Sequence, residues 1–268
     1  MRNLLKLIEK GQSYWIDNLT RNMITDGELQ RRVTEEGCRG VTSNPAIFYN
    51  AISSSRDYDA QIAELVQQHW PLQQIYEELV VTDVRNACDI LRKVYDESEA
   101  HDGFVSLEVS PHLAHQTDAS LDEARRLWHK VDRPNLLIKI PGTSEGVPAI
   151  ETLLSEGINV NVTLLFSVER YQAIADAYAR ALEHRIARGF PIDHIISVAS
   201  FFLSPFSGRD SLIASNLSTS RICSGKFDNR RSLPLRRSLP SLRSIVFLVE
   251  AIYLGNRQIS SRLKALSK

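Results

Sequence analysis

The chain has 268 residues, of which 43% are hydrophobic and 24% charged, and its 32 basic and 32 acidic side chains cancel. This composition excludes a wholly disordered chain, and no apolar run approaches the roughly 20 residues that a membrane-spanning helix needs. The three cysteines are scattered and fit neither a disulfide framework nor a metal knuckle, and the N-terminus lacks the pattern of a secretory signal. We therefore expect a cytoplasmic globular protein with no membrane partner.

Charge is distributed unevenly along the chain. From residue 211 to the end there are eleven Lys or Arg side chains against two acids, which leaves 21 basic and 30 acidic residues before that point. A basic arm for nucleic acid would have this charge, but no aromatic residues interleave with the arginines as base stacking requires. We therefore expect no nucleic-acid partner, and we interpret residues 210–268 as a divergent basic segment that follows a domain at 1–209.

Short apolar runs alternate with helical stretches along the first part of the chain. The predicted strands are 14–19, 40–44, 103–109, 136–141, 158–165 and 195–202. Strands that alternate with helices indicate a parallel sheet, either a doubly wound sheet or a (β/α)8 barrel. Later in the chain, the apolar run 245–254 is compatible with one strand or one helix.

The intervening helices have recognisable start and stop signals. Pro71 separates helices within 51–99, Ser120 precedes one helix, and Ser167 precedes another that Gly189 ends. A periodicity of 3.6 residues predicts the core-facing positions of this last helix, which are Tyr171, Ile174, Tyr178 and Leu182.

Polar side chains within the strands help to choose between the two folds. Strands of parallel sheets are normally continuous apolar runs, but these carry Asp17, Asn44, Glu108, Lys139, Asn161 and Thr163. A closed barrel directs such residues from many strands towards one axis, with chemistry at the carboxyl ends of the strands. The chain has neither a G-x-G-x-x-G turn nor a P-loop, so a TIM-type barrel is favoured.

Lys139 is the strongest single signal of chemistry. It lies between Ile138 and Ile140, and lysines are rarely buried without a purpose. Desolvation favours the neutral amine, which can attack a carbonyl to form a Schiff base. A lysine that pairs with a carboxylate or holds a phosphate would occupy the same position, and position alone does not separate these readings.

Each of the remaining candidate residues also has two possible interpretations. Asp17 and Glu108 could transfer protons, or one of them could be only the ion-pair partner of the lysine. Asn44, Asn161 and Thr163 could hold sugar hydroxyls, or they could be ordinary core residues with satisfied hydrogen bonds.

Other polar residues give weaker or negative signals. Ser204 and Arg209 flank a loop that could hold a phosphate. His112 and His115 have one-turn spacing but no third ligand nearby in sequence, so we assign no metal site. No G-x-S-x-G motif supports a hydrolase triad.

The same residues lie in blocks that resemble those of transaldolases, especially the longer bacterial type that also occurs fused to a glucose-6-phosphate isomerase. The blocks, in the family's order, are SYWIDNLTR, GVTSNPAIF, DGFVSLEVSPHLAHQT, LLIKIPGTSEGVPAIETLLSEGINVNVTLLFS and SVASFFLS. The resemblance covers about residues 1–209. It implies a (β/α)8 barrel that transfers a dihydroxyacetone unit between sugar phosphates in the pentose phosphate pathway, with fructose 6-phosphate or sedoheptulose 7-phosphate as donor.

The resemblance also implies a role for each catalytic residue. Lys139 matches the Schiff-base lysine, and Asp17 matches the group that deprotonates the C4 hydroxyl. Glu108 matches the carboxylate that works through a water, with Thr163 beside it. No metal or organic cofactor is implied, because the protonated imine itself accepts the electrons.

Further residues match the substrate-binding positions. Asn44 and Asn161 match amides that hold the dihydroxyacetone unit, with Thr42 next to them. Ser204 and Arg209 match residues at the phosphate end. Beyond Arg209 the match ends, and the sequence does not show how the barrel would close. The alternative expectation is therefore a catalytically impaired sugar-phosphate-binding barrel, and the oligomeric state is not predicted.

Overall fold

The computed structural model describes the backbone of residues 2–202 and 245–250, and the side chains of residues 4–200. Ser204, Arg209 and most of the segment 210–268 lie outside the described residues. The predictions made for them are therefore not tested by the structure.

Seven parallel strands form one sheet in which the spatial order follows the chain order. They are β1 (Tyr14–Asp17), β2 (Cys38–Thr42), β3 (Phe104–Glu108), β4 (Leu136–Pro141), β5 (Val160–Thr163), β6 (Ser197–Phe202) and β7 (Ile245–Glu250). The first six strands confirm the predicted ones. The run 245–254 was compatible with a strand or a helix, and its first six residues form β7. Within the described residues β1 and β7 each pair on one side, so the sheet is an incomplete (β/α)8 barrel.

The described residues form nine α-helices, of which α1 precedes β1 and the other eight lie between strands. They are α1 (Arg2–Glu9), α2 (Arg21–Thr25), α3 (Glu28–Arg31), α4 (Pro45–Ser54), α5 (Asp59–Gln67), α6 (Leu72–Glu97), α7 (Thr117–Val131), α8 (Gly146–Glu156) and α9 (Val168–Ala187). A π-helical turn at Arg32–Glu36 extends α3, and a 3-10 turn at Pro111–Leu113 precedes α7. Over the part of the chain that the structure describes, none of these helices has the length and apolarity to cross a membrane.

Most of the predicted helix termini are confirmed. The Ser167 hydroxyl accepts a hydrogen bond from the Arg170 N–H at 3.1 Å and begins α9, which ends just before Gly189 in a left-handed conformation. The start predicted at Ser120 is wrong, because α7 already begins at Thr117. Ser120 lies within this helix, and its hydroxyl donates to the Leu113 carbonyl, which ties α7 to the preceding 3-10 turn.

The two faces of the sheet bury different cores. Side chains on the outer face pack against the helices in one large apolar cluster that includes Ile138, Ile140 and all four predicted core residues of α9. On the inner face, Phe104, Leu137 and Val198 belong to a smaller cluster near the amino ends of the strands. Strand alternation places polar side chains beyond this cluster on the same face, towards the carboxyl ends.

Trp15 and Gly40 show how tightly the inner cluster is packed. The rings of Trp15 and Phe104 stack with centroids 6.5 Å apart. A Cβ atom on Gly40 would lie 2.3 Å from the Trp15 ring, so β2 needs a glycine there. The inside of the curved sheet is therefore filled below the polar residues, as in a packed barrel.

A buried ion pair joins the first residue of α2, shortly after β1, to helix α6. The Arg21 guanidinium donates to Asp83 at 2.8 Å, and the Tyr58 hydroxyl donates to the other carboxylate oxygen at 2.9 Å. Burial raises the pKa of Asp83, although the positive charge of Arg21 opposes the shift. This network fixes the chain just after the end of β1, where Asp17 lies.

Candidate active site

The predicted catalytic residues converge on the inner face at the carboxyl ends of the strands. Glu108 is in register with Lys139, and Lys139 is in register with Asn161, on three neighbouring strands. Asp17 is in register with Thr42 on β1 and β2. Register partners in a parallel pair share a face, so side chains from five strands surround one space.

Lys139 is buried, with only 3% of its side chain exposed. Its ammonium donates to the Ser43 carbonyl oxygen at 3.1 Å and lies 3.4 Å from Glu108 Oε2. The ion pair considered from the sequence is therefore present. It also places a carboxylate where it can exchange a proton with the amine, so it does not argue against a nucleophilic role.

The two carboxylates of the site have altered acidity. Burial raises the pKa of Glu108, the charge of Lys139 opposes the shift, and the charge of Asp17 adds to it. Desolvation also raises the pKa of Asp17 against the attraction of Lys139, even though the residue is exposed to solvent overall. Carboxyl groups that hold protons more tightly than usual suit general acid–base chemistry near neutral pH.

Thr42 has a buried hydroxyl without a partner in the described part of the chain. A buried hydroxyl that makes no hydrogen bond costs about 1–3 kcal/mol. Thr163 is also buried, at the end of β5 and on the face that carries Asn161. Both hydroxyls can serve a polar ligand in the space that the five strands surround.

Asn44 has a structural role that the strand prediction did not include. β2 ends at Thr42, and the Asn44 side chain accepts the Ile47 N–H at 3.0 Å as the N-cap of α4. The Asn-Pro dipeptide at 44–45 is the signal for this cap, because proline favours the first helical position. The cap uses the amide oxygen and leaves the amide nitrogen of Asn44 without a partner in the described ranges.

Three serines of the site were not predicted. The Ser43 hydroxyl donates to the Ser106 carbonyl at 2.9 Å, and its own carbonyl accepts from Lys139. Ser106 and Ser200 bond to the Asn161 amide from either side. Serine is too common for its presence in a strand to indicate such a role, although alternation with Glu108 does place Ser106 on the inner face.

A cavity of about 340 Å³ borders the site beside Glu108. It lies among the loops after β2 and β3 and the helices α4, α6 and α7, and Tyr76 and His112 contribute to its walls. His115 is paired with Glu145 at 3.3 Å. In the described residues no group of three or more His, Cys, Asp and Glu side chains is arranged to hold a metal ion.

Comparison with known proteins identifies similar chains. The profile of the family described as Transaldolase/Fructose-6-phosphate aldolase matches residues 14–226, which extends beyond the end of the motif resemblance. A protein named Transaldolase 2 from Nostoc punctiforme is 54% identical over 202 residues, covering 75% of this chain and 53% of that protein.

Two further relatives are similar to the same extent. A Transaldolase from Thiobacillus denitrificans is 51% identical over 203 residues, covering 75% of this chain and 56% of that protein. One from Trichodesmium erythraeum is 50% identical over 216 residues, covering 80% of this chain and 57% of the relative. The chain thus spans about half the length of the curated relatives that it matches.

Proposed function

Because this chain belongs to the transaldolase/fructose-6-phosphate aldolase family, we propose that it transfers a dihydroxyacetone unit between sugar phosphates through a Schiff base on Lys139. The donors would be fructose 6-phosphate or sedoheptulose 7-phosphate, which places the reaction in the pentose phosphate pathway. The observation that carries the proposal is the buried Lys139 amine 3.4 Å from Glu108 on the inner face of the sheet.

The first stage of the proposed reaction is imine formation. The neutral Lys139 amine attacks the C2 carbonyl of the donor, and loss of water gives a protonated imine. Glu108, which already contacts the amine, would transfer the protons through a water held beside Thr163. Asn44, Asn161 and Thr42 would bind the hydroxyls of the dihydroxyacetone unit.

Cleavage follows from the electron demand of the protonated imine. Asp17 takes the proton of the C4 hydroxyl, the C3–C4 bond breaks, and its electron pair moves into the imine to form an enamine. The aldose phosphate leaves, and the enamine adds to an acceptor aldehyde in the reverse sense. Hydrolysis of the resulting imine then frees the product and Lys139.

The phosphate end of the substrate would be held by Ser204 and Arg209. A guanidinium offers paired donors that match phosphate oxygens, and a serine hydroxyl adds one more. This assignment depends on the family motif alone, since both residues lie outside the described part of the chain.

A second candidate function is sugar-phosphate binding with little or no turnover. One sequence observation favours it: the sharp change of charge after residue 210. Turnover with and without an acceptor aldehyde separates the two candidates, and it also separates a transaldolase from an aldolase that releases dihydroxyacetone.

The first experiment is chemical trapping. The protein is incubated with fructose 6-phosphate, reduced with borohydride and digested, and the added mass is located by peptide mass spectrometry. We expect a three-carbon adduct on Lys139, because protonation of the enamine at carbon returns the imine of dihydroxyacetone, which borohydride reduces to a stable secondary amine. Lys139→Arg should abolish the adduct, whereas Lys130→Arg, at a lysine that is paired with Glu77 and Glu78, should not. An adduct elsewhere, or none in folded protein, would contradict the proposal.

A further inference from the structure

Three buried side chains form a hydrogen-bonded chain across the inner face of the sheet. The Ser200 hydroxyl donates to Asn161 Oδ1 at 2.8 Å, and Asn161 Nδ2 donates to the Ser106 hydroxyl at 3.0 Å. All three residues are fully buried. They come from β6, β5 and β3, so the chain passes across the strand that carries Lys139.

The position of this chain relates it to the reactive amine. Asn161 is in register with Lys139, and Ser200 lies two residues beyond Val198, the register partner of Asn161 on β6. Val198 belongs to the apolar cluster of the inner face. The Asn161 amide therefore lies between this apolar cluster and the space beside Lys139.

An asparagine amide needs such contacts to have a defined orientation. Its terminal torsion is broad, because no staggered preference fixes the plane of the amide. The amide has two N–H donors and two acceptor lone pairs, of which Ser106 and Ser200 each occupy one. Among the described residues nothing else bonds to the amide, so one donor and one acceptor remain, which is the combination that a sugar hydroxyl can use.

We propose that Ser200 is a positioning residue, which fixes the plane of the Asn161 amide so that its remaining donor and acceptor face a sugar bound at Lys139. This inference rests on the proposed function, because the amide is useful only if a carbonyl sugar reacts at that amine. Ser106 holds the same amide from the opposite side.

The test compares Ser200→Ala with Ser197→Ala in the single-turnover rate of borohydride trapping at saturating fructose 6-phosphate. Ser197 is a matched control, because it is also a buried serine of β6 and alternation places it on the outer face. We expect Ser200→Ala to lower the rate about five- to tenfold, the effect of losing one buried hydrogen bond, and Ser197→Ala to lower it less than about twofold.

A double-mutant cycle separates positioning from general damage to the fold. In an Asn161→Ala background, the Ser200→Ala substitution should change the rate by less than about twofold, since the hydroxyl acts through the amide. Ser106→Ala provides a second variant, for which we expect a decrease of the same kind and the same loss of effect without Asn161.

The outcomes distinguish the two proposals. If the unmodified protein forms no adduct on Lys139, the proposed function fails and the positioning role fails with it. If the adduct forms but Ser200→Ala and Ser197→Ala trap at equal rates, only the positioning role is overturned. Equal losses with and without Asn161 would likewise assign Ser200 to stability and not to the amide.

Discussion

The carboxylates beside Lys139 show how burial prepares single residues for proton transfer. Glu108 contacts the amine at 3.4 Å, yet desolvation outweighs this attraction and its pKa is raised above the ordinary value of 4.5. Desolvation likewise raises the pKa of Asp17 above its ordinary value of 3.8. The sequence identified all three groups, because ionisable residues in strands are rare, but it gave neither their separation nor the direction of the shifts.

These shifts predict the pH dependence of the reaction. Cleavage needs Asp17 ionised to accept the C4 proton, and a raised pKa means that protonation begins at a higher pH. As the pH is lowered, activity should therefore begin to fall at a pH above 3.8, which is the ordinary pKa of an aspartate side chain. The measurement is kcat/KM for fructose 6-phosphate from about pH 4 to about pH 9, because this ratio reports groups of the free protein. A kcat/KM that does not fall on acidification down to about pH 4 would refute the prediction.

Asp17→Asn should trap the uncleaved six-carbon sugar on Lys139, because the amide cannot accept the C4 proton.

Helix and strand boundaries were predictable where a single residue supplies a strong local signal. Ser167 caps α9 as its position suggests, and Pro71 precedes α6. Ser120 and Asn44 were misjudged, because their side chains serve neighbouring elements that the local pattern does not reveal. The hydrogen bonds of Ser43, Ser106 and Ser200 depend on how neighbouring strands are aligned, and the sequence pattern of one strand does not contain this register.

The cap of α9 gives a prediction about this element. Ser167→Ala removes the acceptor for the Arg170 N–H and should lower the free energy of unfolding by about 1 kcal/mol. Ser167→Asp should preserve stability, since aspartate is also a good cap and its charge favours a helix N-terminus. Urea denaturation followed by circular dichroism measures both variants, and equal midpoints for Ala, Asp and wild type would count against the cap.

At the scale of the whole molecule, the first part of the chain forms a curved parallel sheet with helices outside and a filled interior. Alternating strands and helices predicted this class, and inward polar residues favoured the barrel over a doubly wound sheet. The number of strands after β6 was not predictable, because one apolar run fits either element type. The way in which α2, α6 and the residue before α5 are joined also escaped prediction, since the Arg21–Asp83–Tyr58 network links residues far apart in sequence.

The Arg21–Asp83–Tyr58 network predicts an effect on the free energy of unfolding of the whole protein. Tyr58→Phe removes a hydrogen bond to the buried Asp83 carboxylate and should cost about 1–3 kcal/mol, because that oxygen then lacks a donor. Tyr49→Phe is the control, since Tyr49 is 70% exposed and its loss should change stability by less than about 0.5 kcal/mol. Thermal and urea unfolding provide the comparison. A cost for Tyr58→Phe no larger than that of the control would show that the carboxylate is satisfied without it.

The Thr42 hydroxyl, which has no hydrogen-bond partner among the described residues, has a consequence for how this site can change during evolution. A valine of nearly the same shape would remove the buried unsatisfied group, so selection for a more robust fold alone would favour losing the threonine. A ligand that bonds to this hydroxyl would offset the deficit. The need to bind a ligand would then keep the free protein less stable than it could be. In variants selected for heat resistance without substrate, we therefore expect Thr42 to be among the first residues replaced.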